Sequence, residues 1–249
     1  MDKWKGKVAL VTGASVGIGA NITKALANSG ITVIGLGRRV DAIQDLANQI
    51  QAENSCGKII PKKCDVTNEA EVLSVFNWVK EKFGHLDIFV NNAGVIKSDM
   101  LLEGKTEDFK NIFDVNVISA CVCIREAVKL IKANGSFGHV IVINSILGHR
   151  IPDLPIPLFN VYPASKFALT AITQTIRQEL AFHQANIKLT SVSPGMVNTE
   201  FLTAYNSSFY AGLPQLKTDD VTAAVLYALS TSEQTQVEEI ILQAIPEYC

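Results

Sequence analysis

A short apolar run, residues 7–12, ends in Thr12-Gly13-Ala14-Ser15-Val16-Gly17-Ile18-Gly19 and passes into a helical pattern that continues to Ser29 and stops at Gly30. No other stretch constrains the fold as strongly. Glycines let a backbone pass close to a pyrophosphate. The start of the following helix offers free N–H groups and the positive end of its dipole. A glycine-rich turn is weak evidence alone, but this spacing directly after the first strand predicts a dinucleotide-binding βα unit.

The next strand, residues 31–36, leads into Gly37-Arg38-Arg39. A fold that binds NAD carries an acid near here for the ribose 2′-hydroxyl. A carboxylate would repel a 2′-phosphate, whereas a guanidinium clamps one with paired hydrogen bonds. Arg38, with Arg39 beside it, therefore predicts NADP(H); ordinary loop charges are the alternative. A helix over 40–53 and a third strand over 58–63 follow, ending at Cys64-Asp65-Val66. Asp65 can meet an adenine edge and Val66 can pack on its ring, or Asp65 can cap the next helix. Thr67 is the expected N-cap of a helix over 69–83.

A fourth strand over 86–90 closes in Asn91-Asn92-Ala93-Gly94, small enough for a cofactor to pass. Residues 106–133 read as one long helix carrying Asn116 among Phe113, Val115, Val117 and Ile118. Asn is poor inside a helix, so a kink or a water at a broken backbone bond is expected there, with a solvent-facing Asn as the alternative that the apolar flanks disfavour. A fifth strand over 138–145 puts Ser145 at its carboxyl end, the edge where ligands gather in open α/β sheets. Pro152, Pro155 and Pro157 prevent a helix before the next one, 161–184, and read as a pocket wall. A sixth strand over 187–193 leads into Pro194-Gly195-Met196-Val197-Asn198-Thr199. The segment at about 198–217 holds Phe201, Leu202, Tyr205, Phe209, Tyr210 and Leu213, and reads as a lid over an apolar ligand, with an amphipathic helix pair packing on the body as the compatible alternative. Thr218 is expected to cap a helix over 219–229, and 237–242 forms the last strand.

Strands and helices alternate without a linker or repeat. Hydrophobic residues make up 48% of the 249, ample for a buried sheet. The expectation is one domain, 1–249, of doubly wound α/β class: a seven-stranded parallel sheet in the order 3-2-1-4-5-6-7 with helices on both faces. A net charge of −2 with no basic stripe argues against nucleic acid. No apolar run approaches the ~20 residues of a membrane span. Five cysteines in no ligand pattern or disulfide framework fit a reducing compartment, and with no room for a signal peptide a cytoplasmic location is expected. His85, His139, His149 and His183 suggest no metal site.

Tyr162-Pro163-Ala164-Ser165-Lys166 places a phenol and an ammonium one helical turn apart. A nearby ammonium lowers a phenol's pKa from about 10, so Tyr162 could exchange a proton near neutral pH. A chance pair on an amphipathic helix is the plain alternative.

The ordered set Thr12-Gly13-x-x-x-Gly17-x-Gly19, Asn91-Asn92-Ala93-Gly94, Asn116, Ser145, Tyr162-x-x-x-Lys166 and Pro194-Gly195 resembles the short-chain dehydrogenases/reductases over almost the full length. Residues 33–40, 144–150 and 162–166 are similar, more narrowly, to insect NADP-dependent farnesol dehydrogenases and to vertebrate carbonyl and 17-ketosteroid reductases. The resemblance implies an NADP(H)-dependent oxidoreductase acting on an apolar, isoprenoid-like alcohol or carbonyl compound, with steroids or general carbonyls as the alternative. It implies Tyr162 as acid/base and Ser145 as the group that orients the substrate oxygen. Lys166 would bind the ribose and tune the phenol, and Asn116 would hold a relay water. Coenzyme contacts are implied at Gly13, Ser15, Gly17, Ile18, Gly19, Arg38, Arg39, Asp65, Val66, Asn92, Ala93, Gly94, Tyr162, Lys166, Pro194, Gly195, Val197 and Thr199. Substrate contacts are implied at Ser145, Leu147, His149, Tyr162, Met196, Phe201 and Tyr205, with a structural role as the alternative for His149. Relatives pair two long helices across a dyad, which implies a homodimer or homotetramer. A catalytically silent NADPH-binding protein is the reading from another class.

Overall fold

The computed structural model describes residues 1–53, 55–135, 137–153, 159–200 and 213–245. The strands are β1 (Val8–Thr12), β2 (Thr32–Gly37), β3 (Lys58–Lys63), β4 (Ile88–Asn91), β5 (Gly138–Ile143), β6 (Ile187–Pro194) and β7 (Glu239–Leu242). They pair in parallel in the order β3-β2-β1-β4-β5-β6-β7, as the sequence predicts. The chain winds outward from β1 to β3, then restarts at β4 on the other side of β1. The crevice used by ligands in such sheets opens where that reversal occurs, above the carboxyl ends of β1 and β4.

The helices are α1 (Gly17–Asn28), α2 (Val40–Ala52), α3 (Glu69–Phe83), α4 (Thr106–Phe113), α5 (Ser119–Ala133), α6 (Tyr162–Phe182) and α7 (Thr218–Ser230). Alternation along the strands feeds two cores. Ala9 and Val11, Ile88 and Val90, and Ile141 and Ile143 pack with Ile22 and Leu26 of α1 and Val225 of α7. Leu10, Phe89, Val140 and Val142 point the other way, to Val72 and Phe76 of α3, Ile124 of α5 and Leu169 of α6. Burial on both faces is what a parallel sheet requires, and it explains why its strands read as unbroken apolar runs.

Local chemistry moves some element ends from their expected places. The N-cap of α3 is Asn68, not Thr67: the Asn68 carboxamide accepts from the N–H groups of Ala70 and Glu71. Thr67 is diverted, its hydroxyl donating to the Asp65 carboxylate at 2.7 Å. Thr218 is the first residue of α7 rather than its cap, and the Lys217 N–H donates to the Asp220 carboxylate at 2.7 Å. The long helix over 106–133 is interrupted by a π turn, Asp114–Ile118, where the Ser119 N–H reaches back five residues to the Asp114 carbonyl. The helix irregularity expected around Asn116 is thus a π turn.

The two ends of the expected lid are laced together. Asn198 N–H donates to the Leu216 carbonyl at 2.9 Å, and Leu216 N–H donates to Met196 at 2.8 Å. Residues 201–212, with Phe201 and Tyr205, lie outside the described residues, as do 154–158 with Pro155 and Pro157. Among the described residues no helix is long and apolar enough to cross a membrane.

Candidate active site

A cavity of about 1360 Å³ runs along the carboxyl edge of the sheet. One end is built by the first turn. Gly13 (φ +65°) and Gly17 (φ +59°) adopt left-handed backbone that favours glycine. Gly19 is constrained by space: a Cβ there would lie 2.2 Å from the Gly13 carbonyl oxygen and 2.4 Å from Asn92 Nδ2. Asn92 Nδ2 donates to the carbonyls of Thr12 (3.0 Å) and Gly13 (3.2 Å), while the Thr12 hydroxyl accepts from the N–H groups of Asn92 (2.9 Å) and Ala93 (3.0 Å). The Asn91–Gly94 stretch thus braces the glycine turn besides giving room beside it. No side chain caps α1. Its free N–H groups and dipole suit an anion, and the cradle fits the pyrophosphate of a dinucleotide.

Arg38, Arg39, Asp65 and Val66 line the cavity beyond this turn, at the ends of β2 and β3. Hydrogen bonds from Thr67 hold the Asp65 carboxyl below its ordinary range, with a smaller contribution from the Arg38 charge. Arg39 also pairs with Glu200 across the groove at 3.4 Å, an exposed contact of little energy.

The other end gathers Ser145, Tyr162 and Lys166. The Ser145 hydroxyl hydrogen-bonds the Tyr162 phenol, and its oxygen accepts from Leu147 N–H at 3.1 Å. Lys166 Nζ lies 5.6 Å from the Tyr162 ring centre and donates to the Ile143 carbonyl at 3.1 Å. Burial pushes the Tyr162 phenol above its ordinary value, with the Ser145 hydrogen bond opposing. The spacing of Tyr162 and Lys166 suggests the opposite. In the protein alone, however, desolvation of the buried phenol outweighs an ammonium turned toward a backbone carbonyl.

The same burial lowers Lys166 from its ordinary 10.5 to about 8. Between those values the unfolded chain binds more protons at this site than the folded one, so stability rises with pH there. Raising the pH from 7.5 to 9.5 is expected to add about 2 kcal/mol to the unfolding free energy through this group. Denaturant titrations of wild type and Lys166→Met at both pH values check this, since the variant lacks the increment.

Asn116 does not line the cavity. Its carboxamide oxygen accepts from Val95 N–H (2.8 Å), and Nδ2 donates to Val95 O (2.9 Å) and Ser165 Oγ (3.0 Å). Ser165 in turn donates to the Tyr162 carbonyl at 2.7 Å. Asn116 therefore ties the loop after β4 to the first turn of α6. His149 is also absent from the wall. Its Nε2 lies 3.0 Å from Ser193 Oγ and 2.8 Å from Glu239 Oε1, turned toward β6 and β7, which is the structural alternative. All other predicted site residues within the described residues border the cavity: Ser15, Ile18, Gly94, Leu147, Pro194, Gly195, Met196, Val197 and Thr199 complete the set. Sequence reasoning missed Val95, Phe159, Arg150 and Gln243. Gln243 follows β7, so the carboxyl-edge rule used for β5 could have found it.

A family model described as "short chain dehydrogenase" matches residues 7–208. The chain belongs to the short-chain dehydrogenase/reductase family. It is 42% identical to the farnesol dehydrogenase of Aedes aegypti, with 99% of each chain covered. It is 40% identical to dehydrogenase/reductase SDR family member 11 of Homo sapiens, covering 96% of this chain and 95% of that one. Among solved structures it is similar to an alcohol dehydrogenase from the archaeon Thermococcus sibiricus complexed with 5-hydroxy-NADP. That likeness has 28% identity and a TM-score of 0.84, covering 98% of this chain and 100% of that one. As a short-chain dehydrogenase/reductase the protein is an oxidoreductase that uses a nicotinamide cofactor.

Proposed function

We propose that the protein is an NADP(H)-dependent oxidoreductase interconverting an apolar alcohol and its carbonyl compound, with an isoprenoid alcohol such as farnesol as substrate. The observation that carries this reading is the meeting of Ser145, Tyr162 and Lys166 at one end of a cavity whose wall there includes Leu147, Phe159 and Met196. Such a surface suits an apolar chain with one oxygen aimed at the polar corner. The farnesol dehydrogenase relative supports the substrate class.

In oxidation, Tyr162 acts as the phenolate, the form its burial disfavours in the protein alone, and takes the proton of the alcohol O–H while Ser145 donates a hydrogen bond to the same oxygen. In reduction, Tyr162 returns that proton to the oxygen as negative charge builds on it. When bound, the nicotinamide accepts or delivers the hydride. The glycine turn and the start of α1 would hold the pyrophosphate, and Lys166 the ribose hydroxyls. Asn116 holds the turn that carries Tyr162 against the loop after β4. Phe113, Ile118 and Phe167 are exposed on the long helices and suit pairing of two copies.

The preference for NADP(H) rests on Arg38 and Arg39, which follow β2 directly in the chain where a NAD-binding fold carries an acid. The NADP analogue in the archaeal relative supports it. Replacing Arg38 by Asp removes a charge-assisted contact of about 1.5–3 kcal/mol, so kcat/KM with NADP⁺ is expected to fall about 10–100-fold while NAD⁺ use rises. Equal use of both coenzymes by wild type would count against this role. Turnover is tested on farnesol, a hydroxysteroid and an aromatic aldehyde. NADPH binding without turnover of any of them would favour the silent binding protein.

A further inference from the structure

The two groups that meet at the reacting end of the cavity belong to different elements. Tyr162 opens α6, while Ser145 leads a 3₁₀ turn, Ile146–Gly148, at the end of β5. Their separation is set by how that turn seats on the helix. Thr170 stands four residues after Lys166 and eight after Tyr162, on the same face of α6. Its hydroxyl accepts from Asn144 Nδ2 at 2.9 Å and donates to the Gly148 carbonyl at 2.9 Å. The Lys166 carbonyl at 3.3 Å is the longer alternative for the single hydroxyl proton.

Asn144 immediately precedes Ser145, and Gly148 ends its turn. One hydroxyl therefore grips the turn on both sides of Ser145. The seat is tight: a Cβ on Gly148 would lie 2.7 Å from the Lys166 carbonyl oxygen. The far flank is held independently, His149 meeting Ser193 and Glu239. Thr170 does not line the cavity, so it acts through the turn and not on a ligand. A threonine inside a helix ordinarily back-bonds to the carbonyl four residues earlier. Here the shorter bond goes to another element.

We propose that Thr170 is a positioning residue that sets the separation between the Ser145 hydroxyl and the Tyr162 phenol oxygen. The inference rests on the reading of those two groups as the chemical pair. Thr170→Val keeps the shape and removes the hydroxyl, leaving Asn144 Nδ2 and the Gly148 carbonyl without this partner. A misplacement of about 1 Å at a reacting centre costs about 10²-fold. In Thr170→Val, kcat for farnesol oxidation with NADP⁺ is expected to fall about 10–100-fold. The affinity for NADPH, read by fluorescence titration, stays at the wild-type value.

The hydrogen bond from Ser145 is what opposes the rise of the Tyr162 phenol. Losing that placement moves the acid limb of the kcat/KM–pH profile, which reports the enzyme before the alcohol takes the Ser145 proton, to higher pH, a shift that mere loosening of the fold does not produce. Thr170→Ser restores most of kcat. If Thr170→Val does not fold, Gly148→Ala tests the same seat by lifting the turn from the helix, with the same kinetic signature. The inference is overturned by a folded Thr170→Val with wild-type kcat and pH limb, by Thr170→Ser failing as badly as Thr170→Val, or by NADPH affinity falling in step with kcat. Tyr162→Phe, run in parallel, separates the two levels. If it retains turnover, the reading of the pair fails and this inference with it. If it is inactive while Thr170→Val is fully active, only the positioning role fails.

Discussion

Tyr162→Phe is expected to lower kcat by about 10²–10⁴-fold, the usual contribution of one general acid/base group, with NADPH binding nearly unchanged. The substitution deletes a single oxygen from a side chain already buried in the first turn of α6. The backbone there is held by Asn116 through Ser165 and does not involve the phenol. The glycine turn, Arg38 and Arg39 stand elsewhere on the cavity wall and are untouched. Kinetics and a fluorescence titration on the same preparation make the test. Loss of NADPH binding in step with kcat would mean that the phenol holds the coenzyme and does no proton work. Unchanged turnover would remove the chemical reading of the site.

Gly19→Ala is expected to weaken NADPH binding by more than 100-fold and to lower the unfolding free energy by about 2 kcal/mol. Helix propensity points the other way, since Ala is favoured over Gly inside a helix by about 1 kcal/mol. Sterics decide the sign. The added methyl would lie 2.2 Å from one backbone oxygen, and the nearest side-chain atom, Asn92 Nδ2, is itself engaged in bracing the turn. Relief requires moving the Gly13 peptide or breaking the Asn92 brace, and either opens the anion cradle. Wild-type affinity and melting temperature in Gly19→Ala would show that the turn yields easily and that its tight packing has no part in binding.

The strand order and the two helical layers were legible because they follow from local signals. Apolar runs of strand length alternate with amphipathic stretches of helix length, and parallel connections obey one handedness. The glycine turn announces itself by position, and Tyr162 and Lys166 share a face because four residues nearly complete a helical turn. The shift of the α3 cap from Thr67 to Asn68 turned on one side-chain bond to Asp65, a competition that residue types alone do not rank.

By itself, then, the chain determined a doubly wound parallel sheet, a glycine turn after its first strand and one phenol–ammonium pair, each encoded within a few adjacent residues or in their period. Only the tertiary structure decided that His149 turns from the cavity to Ser193 and Glu239, that Asn116 grips Val95, and that Thr170 holds the turn carrying Ser145. These partners lie 21 to 90 residues apart, and no periodicity relates them. The proton affinity of Tyr162 belongs to the same group: the sequence places a cation nearby, but the depth of burial outweighs it, and burial exists only once the sheet, the turn and the helix have packed.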